Sequence, residues 1–209
     1  MSAPMSNVWD IPYSPKFKVG DASESKIYEA VGRALSKWEG LVADLTFIFA
    51  VLTSQDEPWH YNPAVRAFGA VQAAAPKSEM VQQAAEALFH NFEMQLNVDC
   101  DEYRAGLRLL LREYNGWSAR RNDVAHGYVT ESRMPDYSKD DTPITSTYLL
   151  WPSHSASRKW PVGWEPVYQY RADEIEKFGV GFDELAERVQ SFGKRLEQWR
   201  IDMIRKNPL

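Results

Sequence analysis

The sequence of 209 residues has a single cysteine, no long apolar run and no excess of positive charge. Cys100 alone can form neither an internal disulfide nor a CxxC zinc site, and it fits a reducing compartment. The most apolar stretch, residues 40–53, is 14 residues long and contains Asp44, so it is too short and too polar to span a bilayer. The first residues lack the charged start and apolar run of a signal peptide. We therefore expect a soluble, cytoplasmic protein without a membrane segment.

The net charge of −5 limits how this chain could bind nucleic acid. An acidic molecule repels polyanions on average, so an RNA or DNA site would need a local patch of Lys and Arg. Hydrophobic residues make up 44% and charged residues 25% of the chain, which is typical of a globular protein and excludes a wholly disordered one. The length predicts one domain, or one domain with an insertion.

Apolar residues recur with a helical period along most of the chain. The longest stripe begins at Ser23 or Ser25, either of which is a candidate N-cap, and continues for about seven turns. Pro63 and Pro76 lie where the first turns of two further helices are expected, and Asp173 is the expected cap of the last helix. The predicted helices cover residues 23–52, 63–75, 76–96, 99–126 and 173–203.

Before the last helix, the pattern changes to β-branched and aromatic residues separated by Pro, Asp, Ser and Gly. Residues 1–22 carry three prolines and no sustained period, which predicts an extended tail. The predicted fold is mainly α, an antiparallel helical bundle over residues 23–209 with a small three-stranded antiparallel β insert at about 127–172. The three strands are predicted at residues 128–133, 145–151 and 166–171.

One segment, RRNDVAHG at residues 120–127, combines two arginines, an amide and a histidine at the end of a predicted helix. The apolar stripe of that helix predicts that Arg121 points toward the core, where an arginine is costly unless an anion pairs with it. Asn122 and His126 are four residues apart and share a helix face, and Gly127 lies where a C-cap glycine is expected. A histidine that exchanges protons beside a guanidinium that holds a phosphate is what general acid–base phosphoryl chemistry requires.

This segment resembles the R-x4–6-H motif of HEPN domains, with Arg121 and His126 as its ends and Asn122 as the polar residue that often follows the arginine. A helical bundle with the motif at the end of an inner helix agrees with that resemblance over residues 24–205. The resemblance implies an endoribonuclease that needs no metal or other cofactor, with Arg121, Asn122 and His126 as catalytic residues. It further implies a homodimer whose motifs meet at the interface, RNA as substrate, and a toxin–antitoxin or defence setting with an antitoxin or other protein partner.

Other interpretations of the motif are open at this point. Arg120 is separated from His126 by five intervening residues and also fits the spacing, although the helical phase favours Arg121. Glu39 lies beside the apolar stripe of the first helix and could orient the arginine. Arg121 could instead form a structural ion pair with a buried carboxylate, such as Glu39 or Asp44, while His126 only caps the helix. The chain would then be a catalytically silent HEPN-like module that binds RNA, a nucleotide or a protein, or a plain interaction bundle.

Arginines recur at multiples of four along the same helix, at Arg104, Arg108, Arg112 and Arg120. They could form a basic ridge that leads to the motif, with Arg108, Arg112 and Arg120 as substrate-binding residues. The alternative is a solvated helix face whose charge is neutralised by acidic neighbours, namely Asp101, Glu102 and Glu113.

Overall fold

A computed structural model describes residues 7–10, 19–53, 63–135, 144–153, 166 and 168–206, with the backbone alone at 133–135 and 144–145. In that part of the chain, four helices are followed by two strands and a last helix. The helices are α1 (Glu24–Thr53), α2 (Pro63–Ala70), α3 (Ala74–Leu96), α4 (Asp101–His126) and α5 (Ala172–Lys206), and the strands are β1 (Tyr128–Pro135) and β2 (Ile144–Trp151). The prediction of a mainly helical protein with a small antiparallel sheet is confirmed.

The helix ends follow from local chemistry. Helix α4 begins after Asp99, whose carboxylate accepts the backbone N–H of Asp101 at 2.8 Å. Helix α3 begins at Ala74 rather than at Pro76, which lies in the first turn, where its missing N–H leaves no helical bond unmade. Helix α2 ends at Ala70, five residues earlier than the periodicity predicts.

The start of α5 differs from its prediction in detail. The backbone N–H of Arg171 donates to the carboxylate of Glu174 at 2.8 Å, which is half of a capping box. The N–H of Ala172 donates to Asp21 at 2.7 Å. Asp173, the predicted cap, instead accepts a hydrogen bond from the Arg171 guanidinium at 2.7 Å. Two other carboxylates thus accept the first N–H groups at the start of α5, and Asp173 lies inside the first turn rather than at the cap position.

Strands β1 and β2 form a two-stranded antiparallel sheet in which Tyr128 is paired with Trp151. The predicted third strand at residues 166–171 is not confirmed within the described part of the chain. Only Tyr170 joins the sheet there, through a single bridge to Leu150. A single bridge is enough to hold this residue in place, because its N–H and C=O each make one bond to Leu150, at 2.9 and 2.8 Å.

A second bridge comes from the end of the predicted N-terminal tail. Asp21 exchanges two backbone hydrogen bonds of 2.8 Å with Tyr148. A Cβ atom at Gly20 would collide with the backbone of Tyr148, so the absence of a side chain at Gly20 lets the two backbones approach. Tyr148 and Leu150 are two residues apart and direct their N–H and C=O groups to the same edge of β2. This part of the predicted tail is therefore paired with the sheet.

The chain divides into two compact units, Met1–Trp38 with Ala119–Phe182, and Glu39–Ser118 with Asp183–Leu209. Helices α1, α4 and α5 contribute residues to both units. We call the units the first and the second in that order. Among the described residues, no helix is both long enough and apolar enough to cross a membrane.

The core of the first unit is built from α1, the end of α4, β2 and the start of α5. Trp38 and Phe182 meet edge to face with their ring centroids 5.3 Å apart, and Tyr170 meets Phe178 at 5.2 Å. This packing anchors the end of α4, because Val124 is part of the same core. The buried apolar side chains of this unit include Ile27, Ala30, Ala34, Val124, Leu149, Leu150 and Ile175.

The second unit contains α2, α3 and the other parts of α1, α4 and α5. Phe49 stacks on Phe68 with the ring centroids 4.5 Å apart. The buried ammonium of Lys77 donates to the backbone carbonyl of Phe68 at 3.2 Å and lies 4.6 Å from its ring centroid. A cation at this position satisfies a carbonyl in the last turn of α2 and complements the negative end of that helix.

Candidate functional site

The three residues predicted as catalytic lie on the final turns of α4, in the first unit. Arg121 is half-buried, whereas Asn122 and His126 are exposed. His126 occupies the last turn, where a cation interacts favourably with the negative end of the helix. All three side chains are therefore carried by one regular helix end, and the imidazole is open to solvent.

The guanidinium of Arg121 has few partners. Its Nη1 donates to the side-chain oxygen of Asn122 at 3.1 Å. Its Nε is buried and has no acceptor, and no described carboxylate lies within ion-pair distance of the group. A buried donor without a partner costs about 1–3 kcal/mol, so native proteins seldom leave one without a reason. The predicted structural ion pair of Arg121 is thus absent from the described residues, and the guanidinium has free hydrogen-bonding capacity.

Arg120 has a different environment, although it directly precedes Arg121 in the chain. Its side chain is 12% exposed and lies 3.4 Å from Asp123, which is fully buried. It also donates to the hydroxyl of Tyr170 at 3.2 Å, and its guanidinium carbon is 5.6 Å from the ring centroid of Tyr168. The charge of Arg120 is thus compensated inside the protein by Asp123, although its buried Nε, like that of Arg121, has no acceptor. Substrate binding by Arg120 stays a prediction.

Asp123 and Tyr170 complete this buried network. The hydroxyl of Tyr170 donates to the carboxylate of Asp123 at 2.8 Å. Burial raises the pKa of Tyr170 well above its ordinary value, so the hydroxyl remains a donor. Sequence reasoning missed both residues. The spacing of three between Arg120 and Asp123 was a usable signal, since residues at i and i+3 face each other on a helix, but nothing local pointed to Tyr170.

Gly127 is required at the end of α4, but not as a helix cap. A Cβ atom at this position would lie 2.6 Å from the carbonyl oxygen of Asp123 and 2.7 Å from that of Trp151. The backbone of Gly127 is not in the left-handed conformation that a C-cap glycine adopts. The glycine is thus explained by the close approach of β2 to the helix end, which holds the motif against the sheet.

The basic ridge is largely neutralised where it begins. The guanidinium of Arg104 is 15% exposed and forms ion pairs with Glu86, Glu93 and Asp101 at 2.8–2.9 Å. Two of these carboxylates belong to α3, which sequence periodicity on α4 could not reveal. Arg108 lies 3.6 Å from Glu86. The ridge as a continuous basic surface is therefore not supported.

Two further predicted residues lie in the second unit, together with the start of the ridge. Arg112 is exposed, and its charge helps to lower the pKa of Glu113, after the larger effect of Arg188. Glu39 is also exposed. Burial lowers the pKa of Lys77, and the charge of Glu39 partly opposes that shift. Substrate binding by Arg108 and Arg112 and the orienting role of Glu39 stay predictions.

In the part of the chain that the structure describes, no three His, Cys, Asp or Glu side chains come close enough together to hold a metal ion. Comparisons with protein-family models, with curated proteins and with solved structures find no match for this chain. The resemblance to HEPN domains therefore remains a prediction based on the motif. What the structure adds is the environment of each motif residue.

Proposed function

We propose that this chain cleaves RNA without a metal ion, at the end of α4, with Arg121, Asn122 and His126 as the catalytic residues. One observation supports the proposal above all. The half-buried guanidinium of Arg121 has an unpartnered Nε and no described carboxylate beside it, and it lies on the same helix end as the exposed His126. A phosphate would supply the missing acceptors, because guanidinium–phosphate contacts are charge-assisted and often bidentate.

The proposed reaction uses the 2′-hydroxyl of the RNA as the nucleophile. A base removes the proton of that hydroxyl while its oxygen bonds to the adjacent phosphorus. The bond from phosphorus to the 5′-oxygen breaks, and an acid donates a proton to that leaving oxygen. The products are a 2′,3′-cyclic phosphate and a 5′-hydroxyl. Arg121 holds the phosphate and stabilises the negative charge of the transition state, and the amide of Asn122 keeps the guanidinium in place.

Two proton-transfer roles are needed, and each chain carries one motif histidine. A two-fold symmetric homodimer would bring two His126 side chains together, one as base and one as acid. The exposure of His126 is consistent with such an arrangement. By its resemblance to HEPN domains, the protein would act as a toxin or defence effector, with an antitoxin as a second protein partner.

The test is RNA cleavage by the purified protein in EDTA, with His126→Ala compared with the wild type. His90→Ala is the matched control, because His90 is also an exposed helical histidine but lies on α3. We expect the wild type and the control to cleave, and His126→Ala to lose at least about a hundredfold in rate, which is typical for the loss of a general acid or base. The protein's mass in solution, measured under the same conditions, tests the dimer.

Other outcomes would contradict parts of this proposal. Equal cleavage by wild type and His126→Ala would show that the activity lies elsewhere or belongs to a contaminant. If the protein binds diverse RNAs and cleaves none, the catalytically silent module replaces the enzyme. A monomer that cleaves at full rate would remove the composite site while leaving the catalytic residues in place.

A further inference from the structure

A cavity of about 260 Å³ opens in the second unit, between α4 and α5. Its walls include two aromatic rings, Tyr103 and Phe192, which meet edge to face with their centroids 6.0 Å apart. Tyr103 also contacts Trp199, with the two rings tilted by 31° and their centroids 4.6 Å apart. The aromatic wall is therefore backed by further ring contacts, which limit its movement. The lining residues are Glu102, Tyr103, Gly106, Phe192 and Arg195.

Two opposite charges line the same cavity. Within the described part of the chain, neither Glu102 nor Arg195 forms a salt bridge or a side-chain hydrogen bond, although Arg195 lies 6.0 Å from the ring centroid of Phe192. Burial raises the pKa of the Tyr103 hydroxyl, the charge of Arg195 opposes that shift, and the charges of Glu102 and Asp202 add to it. A carboxylate and a guanidinium, both on solvent-exposed residues, therefore line the cavity beside one aromatic ring, and within the described part of the chain neither is paired with another charge.

We propose that this cavity binds a small aromatic zwitterion, a molecule with one aromatic ring, an ammonium group and a carboxylate. The ring would pack edge to face or offset against Tyr103 and Phe192. The ammonium would pair with Glu102, and the carboxylate would accept two hydrogen bonds from Arg195. The volume is below the range of about 300–1,000 Å³ that is usual for drug-sized ligands, which favours a molecule of amino-acid size.

Gly106 contributes to the shape of this site. A Cβ atom there would lie 3.1 Å from a ring carbon of Phe192, closer than an ordinary contact. Any larger residue would push the Phe192 ring or occupy its space. None of the residues of the cavity belongs to the Arg121–His126 motif, so this inference does not rest on the proposed RNA cleavage.

The experiment is a titration of the full chain with L-phenylalanine, followed by calorimetry and by tryptophan fluorescence. Trp199 is a natural reporter because it contacts Tyr103, and phenylalanine does not absorb at the wavelengths that excite tryptophan. Three analogues each remove one feature: L-phenylalaninamide lacks the carboxylate, N-acetyl-L-phenylalanine lacks the ammonium, and L-leucine lacks the ring. We expect saturable binding of phenylalanine and about fivefold weaker binding of each charge-deleted analogue, as for a solvent-accessible ion pair.

Two variants assign each charge to its partner. Glu102→Gln should abolish the preference for L-phenylalanine over N-acetyl-L-phenylalanine. Arg195→Gln should abolish the preference for L-phenylalanine over L-phenylalaninamide. Glu197→Gln and Lys194→Gln are matched controls on the exposed face of α5 and should keep both preferences. The proposal is overturned if phenylalanine does not saturate the protein at millimolar concentrations, or if all four ligands bind the folded wild type equally.

Discussion

The two ends of α4 use arginine in opposite ways. Near the start, Arg104 is surrounded by three carboxylates at 2.8–2.9 Å. Near the end, Arg121 has one amide oxygen at 3.1 Å and a buried Nε without an acceptor. Both side chains lie on the same helix, so the difference comes from what the surrounding elements bring to them. Helix α3 supplies two glutamates to Arg104, and no described carboxylate reaches Arg121.

This difference separates a structural arginine from one that is available to a ligand. A guanidinium whose donors are already paired has little to offer a phosphate, since binding would first break its ion pairs. A guanidinium with unmet donors gains by binding one. Arg120 shows that sequence position alone does not decide the matter, because it is adjacent to Arg121 and yet lies beside the buried carboxylate of Asp123.

The largest expected effect concerns the stability of Arg104→Met compared with Arg121→Met. The first change removes the cation that pairs with Glu93 and Asp101, and it leaves Glu86 with the more distant Arg108, at 3.6 Å. It should lower the free energy of unfolding by about 3 kcal/mol. This value is at the low end of the range for breaking a buried ion pair, because the carboxylates are partly exposed to solvent. Arg121→Met should cost less than about 0.5 kcal/mol, since no described ion pair is lost. Urea denaturation of the two variants measures both values.

The opposite result would break the comparison. If Arg121→Met destabilises the protein as much as Arg104→Met, then Arg121 supports the fold, and its free hydrogen-bonding capacity has no functional meaning. A matched exposed control is Arg112→Met, which should be neutral because Arg112 is exposed on the same helix.

A smaller effect is expected from Tyr170→Phe, which tests the network that holds the end of α4. The change removes the donor at 2.8 Å from the fully buried Asp123 carboxylate. We expect a loss of about 2 kcal/mol in the free energy of unfolding, typical of a hydrogen bond to a buried charge. Tyr168→Phe is the control, because it keeps the ring that faces Arg120. If both variants are equally stable, the network does not hold the helix end.

The smallest effect concerns acid stability through Glu113, which accepts a hydrogen bond from Arg188 at 2.8 Å. That contact holds the pKa of Glu113 below its ordinary value of 4.5. The unfolded chain therefore binds this proton at a higher pH than the native protein does, so the stabilisation is present above pH 4.5 and is lost as the pH falls through the lower native pKa. Because Arg188 is half exposed, the contribution should be below about 1 kcal/mol.

This prediction is checked by measuring the free energy of unfolding of Arg188→Gln and of the wild type between neutral pH and about pH 3. The lower limit lies about one unit below the usual glutamate pKa. The variant should be slightly less stable than the wild type at neutral pH and should approach it in acid. If the difference in the free energy of unfolding between the two proteins is the same across that pH range, the Glu113–Arg188 pair does not contribute to the pH dependence of stability.

The helices were predictable because their apolar period is long and regular. The stripes that contain Trp38, Tyr114 and Phe182 needed no knowledge of the fold, since a helix must bury its apolar face. The predictions failed where a hydrogen bond from a different residue replaces the one that the local sequence pattern indicates. Asp173 follows a common capping pattern, yet the N–H groups at the start of α5 are satisfied by Glu174 and by Asp21, which is distant in the sequence.

The third predicted strand is not confirmed, for a related reason. Residues 166–171 have strand-like composition, but only Tyr170 reaches β2 among the described ones, and Asp21 bonds to the same edge of that strand. The amino-acid composition of a segment indicates whether it suits a β-strand, but it does not determine how many of its residues will pair with a neighbouring strand. The division of the chain into two compact units was likewise not visible in a helical pattern that continues through α1, α4 and α5.

Periodicity, turn residues and one short motif are local properties, and they were enough to define the helices, the sheet region and the segment from Arg121 to His126. Whether a guanidinium is satisfied depends on carboxylates and hydroxyls from distant parts of the chain. Glu86 and Glu93 for Arg104, and Tyr170 beside Arg120 and Asp123, are brought in only by folding. Ion pairs and hydrogen bonds act over a few ångströms in space, so their partners cannot be inferred from spacing along one helix.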